Sequence, residues 1–232
     1  MMEGSGVECH EVIGWLEAHG NLENLAGMAR YGIEVERALG VPMPELRRLG
    51  KRLGRDHDLA LDLWASEVHE ARILATLVDD PAQVNDEQME TWVVTLDSWD
   101  ICDQLCNNLF RKTALAYRKA ADWSDRSEEF VRRSGFVLMA TLAVHDKKAG
   151  DEAFLAFLPL IEAGAVDGRN FVKKAVNWAL RQIGKRNAAL NQAAIATAQQ
   201  IQALHSPPAR WVAADALREL RSEAVQMRLT RT

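Results

Sequence analysis

Apolar residues recur at intervals of three and four along nearly the whole chain, and no segment alternates with the period of two that a half-buried strand requires. Between Asp58 and Val78, the set Leu59, Leu61, Leu63, Trp64, Val68, Ala71, Ile73, Leu74, Leu77 and Val78 is interrupted only near Ser66–His69. That pattern predicts two short helices joined by a tight turn. Asp79-Asp80-Pro81 then ends the second helix, because the residue before a proline is pushed out of the helical region. A helix from about Glu87 to Asp97 follows, and Ser98 is a suitable N-cap for the next, Trp99 to about Lys112. Further helices are expected over roughly 126–144, 151–163, 169–185, 188–203 and 208–227, with Pro207-Pro208 opening the last. Helical pairs about 35–45 residues apart point to an all-α fold, a HEAT-like helical-repeat solenoid forming a single domain over 1–232. The repeats diverge, so a compact helical bundle is the alternative. The difference matters, since a solenoid offers a curved surface to a long ligand.

Composition narrows the class further. With 48% hydrophobic residues in 232, the chain can bury a core without covalent staples. Six prolines and 14 glycines are too few for an all-β protein of this length. Three cysteines, Cys9, Cys102 and Cys106, exclude a disulfide framework and suggest a reducing compartment. Cys102 and Cys106 read as buried small hydrophobes, and no Cys/His spacing suits zinc. The N-terminal MMEGSGVECHEVIGWLEAHG lacks the basic and apolar regions of a signal peptide, and no window is long enough to span a membrane. A cytoplasmic protein is expected. The net charge of −5 argues against a nucleic-acid partner, though a local basic face can bind phosphates within an acidic molecule.

Three stretches depart from plain amphipathic helix. In Asn170–Arg186, Val172, Val176, Ala179, Leu180 and Ile183 form a core-facing stripe. Lys174, Trp178, Arg181 and Lys185 share another face, without an acid in the stretch. Cations bind phosphates and an indole packs on a nucleotide, so the face suits DNA. It equally suits a half-buried Trp with snorkelling cations. In Asp97–Asn107, Trp99, Asp103 and Asn107 lie on one face, opposite Ile101, Cys102, Leu105, Cys106 and Leu109. A carboxylate beside an aromatic wall can stabilise a cationic transition state or position water, and can also be a solvated Asp beside a core Trp. Arg132-Arg133 opens the apolar run Ser134–Val144, where an Arg either salt-bridges or grips a phosphate. A basic run, Arg47, Arg48, Lys51, Arg52 and Arg55, is a further phosphate patch or a solvated helix face. His69-Glu70 lacks the second His of a metal motif and reads as a turn and helix start. No Gly-rich phosphate loop or nucleophile elbow occurs.

In their order, these residues resemble the AlkD-type family of DNA alkylation-repair glycosylases. The resemblance rests on Met28-Ala29-Arg30-Tyr31, on Ser98-Trp99-Asp100 with Asp103, on Arg133 heading an apolar helix, and on Lys173-Lys174-Ala175-Val176 with Trp178, Leu180 and Arg181. It extends over roughly 25–220 and leaves an N-terminal helix within 1–22 outside it. The family implies a helical solenoid whose concave basic surface cups duplex DNA. It implies a Trp-Asp-Trp set at Trp99, Asp103 and Trp178, a phosphate-gripping Arg133, and a DNA-proximal Tyr31. The implied reaction hydrolyses the N-glycosidic bond of cationic purines such as N3-methyladenine and N7-methylguanine, without cofactor or metal. Lys174, Arg181 and Lys185 complete the expected DNA-binding set, and a monomer acting on duplex DNA with alkylated bases is expected. Val41-Pro42-Met43-Pro44 replaces the polar DNA-contacting loop of the family, and no contact is carried over there. Two other functions fit the scaffold: a non-catalytic DNA-structure binder and a protein–protein scaffold.

Overall fold

The computed structural model describes residues 6–230, and every regular element among them is helical. The chain packs as two compact units, Met1–Thr113 and Ala114–Thr232. Residues 1–5 of the expected N-terminal helix lie outside the described residues.

The first unit contains α1 (Cys9–Ala18), α2 (Leu22–Arg30), α3 (Met43–Leu53), α4 (His57–Ala65), α5 (His69–Val78), α6 (Asp86–Val94) and α7 (Trp99–Asn108). A 3-10 turn at Phe110–Lys112 follows. The interruption at Ser66–His69 is the turn between α4 and α5, as the periodicity predicts. Helix starts are written locally: Asp56 accepts from Leu59 N at 3.0 Å to open α4, and Asn85 accepts from Gln88 N at 2.8 Å to open α6. Ser98 does stand at the N-cap of α7, but its hydroxyl donates to the Asp100 carboxylate instead of capping the backbone. Helices α5 and α7 run side by side in one direction, since His69 meets Asp100 near their starts and Thr76 meets Asn108 near their ends. Helix α3 extends that layer, with Gly50 packed against Leu74 and Leu77 of α5. Behind it, Trp64 of α4 stacks on Trp92 of α6, ring centroids 4.2 Å apart and nearly coplanar in orientation.

The second unit repeats this scheme with α8 (Ala116–Ser124), α9 (Glu129–His145), α10 (Asp151–Leu155), α11 (Leu158–Gly164), α12 (Asn170–Gly184), α13 (Ala188–Ala203), α14 (Pro207–Leu220) and α15 (Glu223–Leu229). Helices α9, α12 and α14 form one parallel layer. Arg133 donates to the Phe171 carbonyl near the starts of α9 and α12, and Arg186 donates to Ala143 near their ends. Asn177 donates to Val212 across α12 and α14. Helices α8, α11 and α13 back this layer. The crossing of α8 and α9 is close enough to require glycine: a Cβ on Gly135 would lie 2.6 Å from Ser124 N.

Three expected helices prove to be broken, the first of them at Leu109, where α7 gives way to the 3-10 turn. The segment 151–163 divides at Ala156–Phe157, because Pro159 fits only the opening turn of α11, where its missing N–H is not needed. The segment 208–227 divides at Arg221–Ser222, where the Ser222 hydroxyl accepts from Val225 N and starts α15.

Candidate nucleic-acid interface

Helix α7 separates two faces cleanly. Ile101, Cys102, Leu105 and Cys106 are buried, and so is Leu109 just beyond it, whereas Trp99, Asp103 and Asn107 are half-buried on the opposite face. The Trp99 indole Nε1 donates to the Tyr31 carbonyl at 3.0 Å, which fixes the ring against the end of α2. The Tyr31 side chain itself is 76% exposed. The structure therefore brings Tyr31, Trp99 and Asp103 together.

A buried network holds the start of α7. Asp100 accepts from Ser98 Oγ at 2.6 Å and is joined to His69 Nε2 at 2.8 Å. Burial pushes the Asp100 carboxyl up, but the hydrogen bond and charge of His69 outweigh it and hold the group below its ordinary range. Burial likewise pushes His69 down, and Asp100 reverses this, leaving the imidazole above 6.5. The pair pins the first turn of α7 to the first turn of α5. Next to it, the Glu70 carboxylate accepts from the backbone N–H groups of Leu39, Gly40 and Val41 at 2.8, 2.7 and 3.3 Å. That anchors the loop that follows Tyr31. Sequence reading takes His69-Glu70 only as a turn and helix start. Their partners lie about thirty residues away, and no local pattern reveals them.

In the second unit the stripe Val172, Val176, Ala179, Leu180 and Ile183 is buried as expected. Lys174 is exposed and Trp178 half-buried. With the Gln182 amide oriented to satisfy its neighbours, its oxygen accepts from Trp178 Nε1 at 3.0 Å. The two remaining cations of that face are not bare. Arg181 is paired with Glu219 and lies 3.7 Å from Asp215, and Lys185 Nζ is 2.5 Å from Glu219. Both acids belong to α14, so a stretch without acids in sequence acquires them from the adjacent helix. Arg133 is 5% exposed, and one guanidinium nitrogen donates to Phe171 at 2.6 Å, which makes it a packing element between α9 and α12.

Charge is divided sharply between the units. Residues 1–113 hold 10 Lys and Arg against 21 Asp and Glu, a net of −11, and residues 114–232 hold 18 against 12, a net of +6. From Gly168 to Ala214 no acid occurs at all. The overall charge of −5 thus conceals a basic unit able to attract a polyanion. Of the basic run on α3 and just beyond it, Arg48 pairs with Glu45, Arg52 lies over the Trp15 ring, and Arg55 lies 3.5 Å from Asp80. Among the described residues, no cluster of three His, Cys, Asp or Glu side chains is placed to hold a metal, and no helix is long and apolar enough to cross a membrane.

Comparison with known proteins bears on the fold and the family. A solved structure from a family related to the HEAT-like repeat DNA glycosylases, with affinity for branched DNA structures, superposes with a TM-score of 0.80 at 16% identity, covering 96% of each chain. At that identity the likeness establishes the fold, a HEAT-like helical repeat. A designed armadillo repeat protein matches with a TM-score of only 0.38 at 14% identity, over 94% of this chain and 96% of its own, and carries no weight. No curated protein matches the sequence. The model of the DNA alkylation repair enzyme family matches residues 12–220, and so begins inside α1 rather than after it. By that match, over nearly the whole chain, this protein belongs to the DNA alkylation repair enzyme family.

Proposed function

We propose that the protein is a DNA glycosylase that hydrolyses the N-glycosidic bond of cationic alkylated purines, N7-methylguanine and N3-methyladenine, in duplex DNA. The observation that carries this reading is the face of α7, where Asp103 stands one turn beyond a Trp99 ring held by Tyr31.

The chemistry asks little of the protein. An alkylated purine is already positive, so the C1′–N9 bond breaks with its electron pair moving to the base, which leaves neutral and needs no general acid. The sugar becomes oxocarbenium-like. The Asp103 carboxylate stabilises that charge and orients a water toward C1′, accepting the proton as the new C–O bond forms. Trp99 supplies an apolar wall that keeps other water away from the reacting carbon. In the second unit, Trp178 is assigned the packing of an aromatic face on the DNA backbone, and Lys174 a phosphate contact. Arg181 and Lys185 take part only as far as Glu219 leaves them charge to share. Arg133 supports α12 rather than gripping a phosphate as a free side chain. No cofactor is required by this scheme.

A second reading is a DNA-structure binder without catalysis. It is favoured by the branched-DNA affinity of the related structure. The two separate on one assay. Purified protein is incubated with duplex containing N7-methylguanine, and free base is measured beside binding to intact and branched DNA. Release of base supports the glycosylase; binding to both DNAs with no release establishes the second reading instead.

A further inference from the structure

Away from the α7 face, the second unit exposes an aromatic residue to which neither the family resemblance nor the proposed reaction gives a part. Trp211, in the second turn of α14, is 42% exposed. Lys173 of α12 holds its ammonium 4.9 Å from the centre of the ring. Because α12 and α14 run parallel, the beginnings of both helices meet here, and Arg210 and Lys174 are exposed beside them in sequence. The stretch from Gly168 to Ala214 that supplies both helix starts contains no acid. This contrasts with the far ends of the same two helices, where Glu219 occupies Arg181 and Lys185.

We infer that Trp211 and Lys173 form a stacking platform for an unpaired nucleotide, with Lys173 and Arg210 meeting the flanking phosphates. The inference extends the proposed DNA-binding role to a second site. An exposed indole costs free energy in water and gains it by taking a flat partner. A base offers such a face only when unpaired, because in a duplex both faces are covered by neighbouring base pairs. A cation over one face of the ring, with the exposed Arg210 next to it in sequence, favours a ligand that brings negative charge alongside a flat group for the rest of the indole, which a nucleotide does. An apolar protein surface would not need the cations, and an acidic peptide would not need the ring. Stacking is tolerant of base identity, so the platform is expected to accept any single-stranded segment, such as a frayed end, a gap or an arm of a branch.

The test uses a fluorescently labelled oligothymidine of about twelve nucleotides, a span within the reach of single-strand binding sites, and a blunt duplex, both followed by anisotropy. Wild type is expected to bind both. Trp211→Ala should weaken oligothymidine binding about tenfold, leaving duplex affinity, thermal midpoint and base release from N7-methylguanine duplex unchanged. Trp211→Phe should restore most of the loss, and Lys173→Ala should reduce the salt dependence of oligothymidine binding. Equal binding of oligothymidine by wild type and Trp211→Ala overturns the inference, as does equal displacement by polyglutamate, which would show charge without stacking. Duplex binding with no oligothymidine binding overturns this inference and leaves the proposed function standing; failure to bind either overturns both.

Discussion

Asp100 and His69 are bonded at 2.8 Å and largely buried, so their charges work on one another in a medium that screens weakly. His69 titrates above 6.5, so its contribution to stability is complete at lower pH and is lost as pH rises through the raised value. Asp100 titrates below 3.8, so its contribution is present above that and lost as pH falls through the lowered value. The pair is therefore most fully charged in mildly acidic solution, between the lowered titration of Asp100 and the raised titration of His69. Asp100→Asn should lower the thermal midpoint most within that window, by roughly 4–8 °C for a loss of about 2 kcal/mol, and the gap should narrow on the alkaline side. A calorimetric series across pH checks it; a gap independent of pH would show that the pair is not ionic. Which residues occupy the α7 face is legible in sequence, because spacing along one helix decides it. What holds that face in place is not, because His69 lies 31 residues from Asp100.

At the scale of elements, helix pairs meet through small residues and exchange charges along parallel layers. Gly135 shows the first point: a methyl group there would press 2.6 Å from Ser124 N, against backbone that cannot yield cheaply. Gly135→Ala should cost about 1–3 kcal/mol in a denaturant titration without altering DNA binding per folded molecule. A cost near zero would mean that α8 and α9 separate easily. Glu219 shows the second point, since it draws Arg181 and Lys185 of α12 toward α14. Glu219→Gln should release both cations, tightening duplex binding several-fold at low salt and steepening the salt dependence by roughly one to two phosphate equivalents. Unchanged affinity would show that this end of α12 does not meet DNA. The sequence of α12 suggests a bare basic stripe, and that expectation fails for a physical reason. Its neutralising acids come from a helix 34–38 residues later, beyond any window of local pattern. Helix boundaries fail similarly where Pro159 and Ser222 start new helices inside continuous apolar periodicity, and α8 escapes the pattern altogether.

For the whole molecule, charge is distributed so that the net value misleads: the unit with the catalytic candidate Asp103 is acidic and the other is basic. Association with DNA should then be electrostatic through the second unit. Lys174→Glu is expected to weaken duplex binding about tenfold at low salt and to reduce the slope of log affinity against log salt by roughly one. A slope unaffected by that change would place the phosphates elsewhere. Fold and family were reachable from periodicity and from the order of four short motifs. The division of charge explains why composition alone points away from DNA. In the proposed reaction Asp103 performs the chemistry on a scaffold that binds DNA without it. The most direct measurement is the rate of N7-methylguanine release from duplex by wild type and Asp103→Asn, with duplex affinity followed in parallel. Wild type should release the base, the variant should be slower by at least about 100-fold, and their affinities should agree within about twofold. Release at the wild-type rate by Asp103→Asn, or no release by wild type that is folded and bound to DNA, would contradict the proposed reaction.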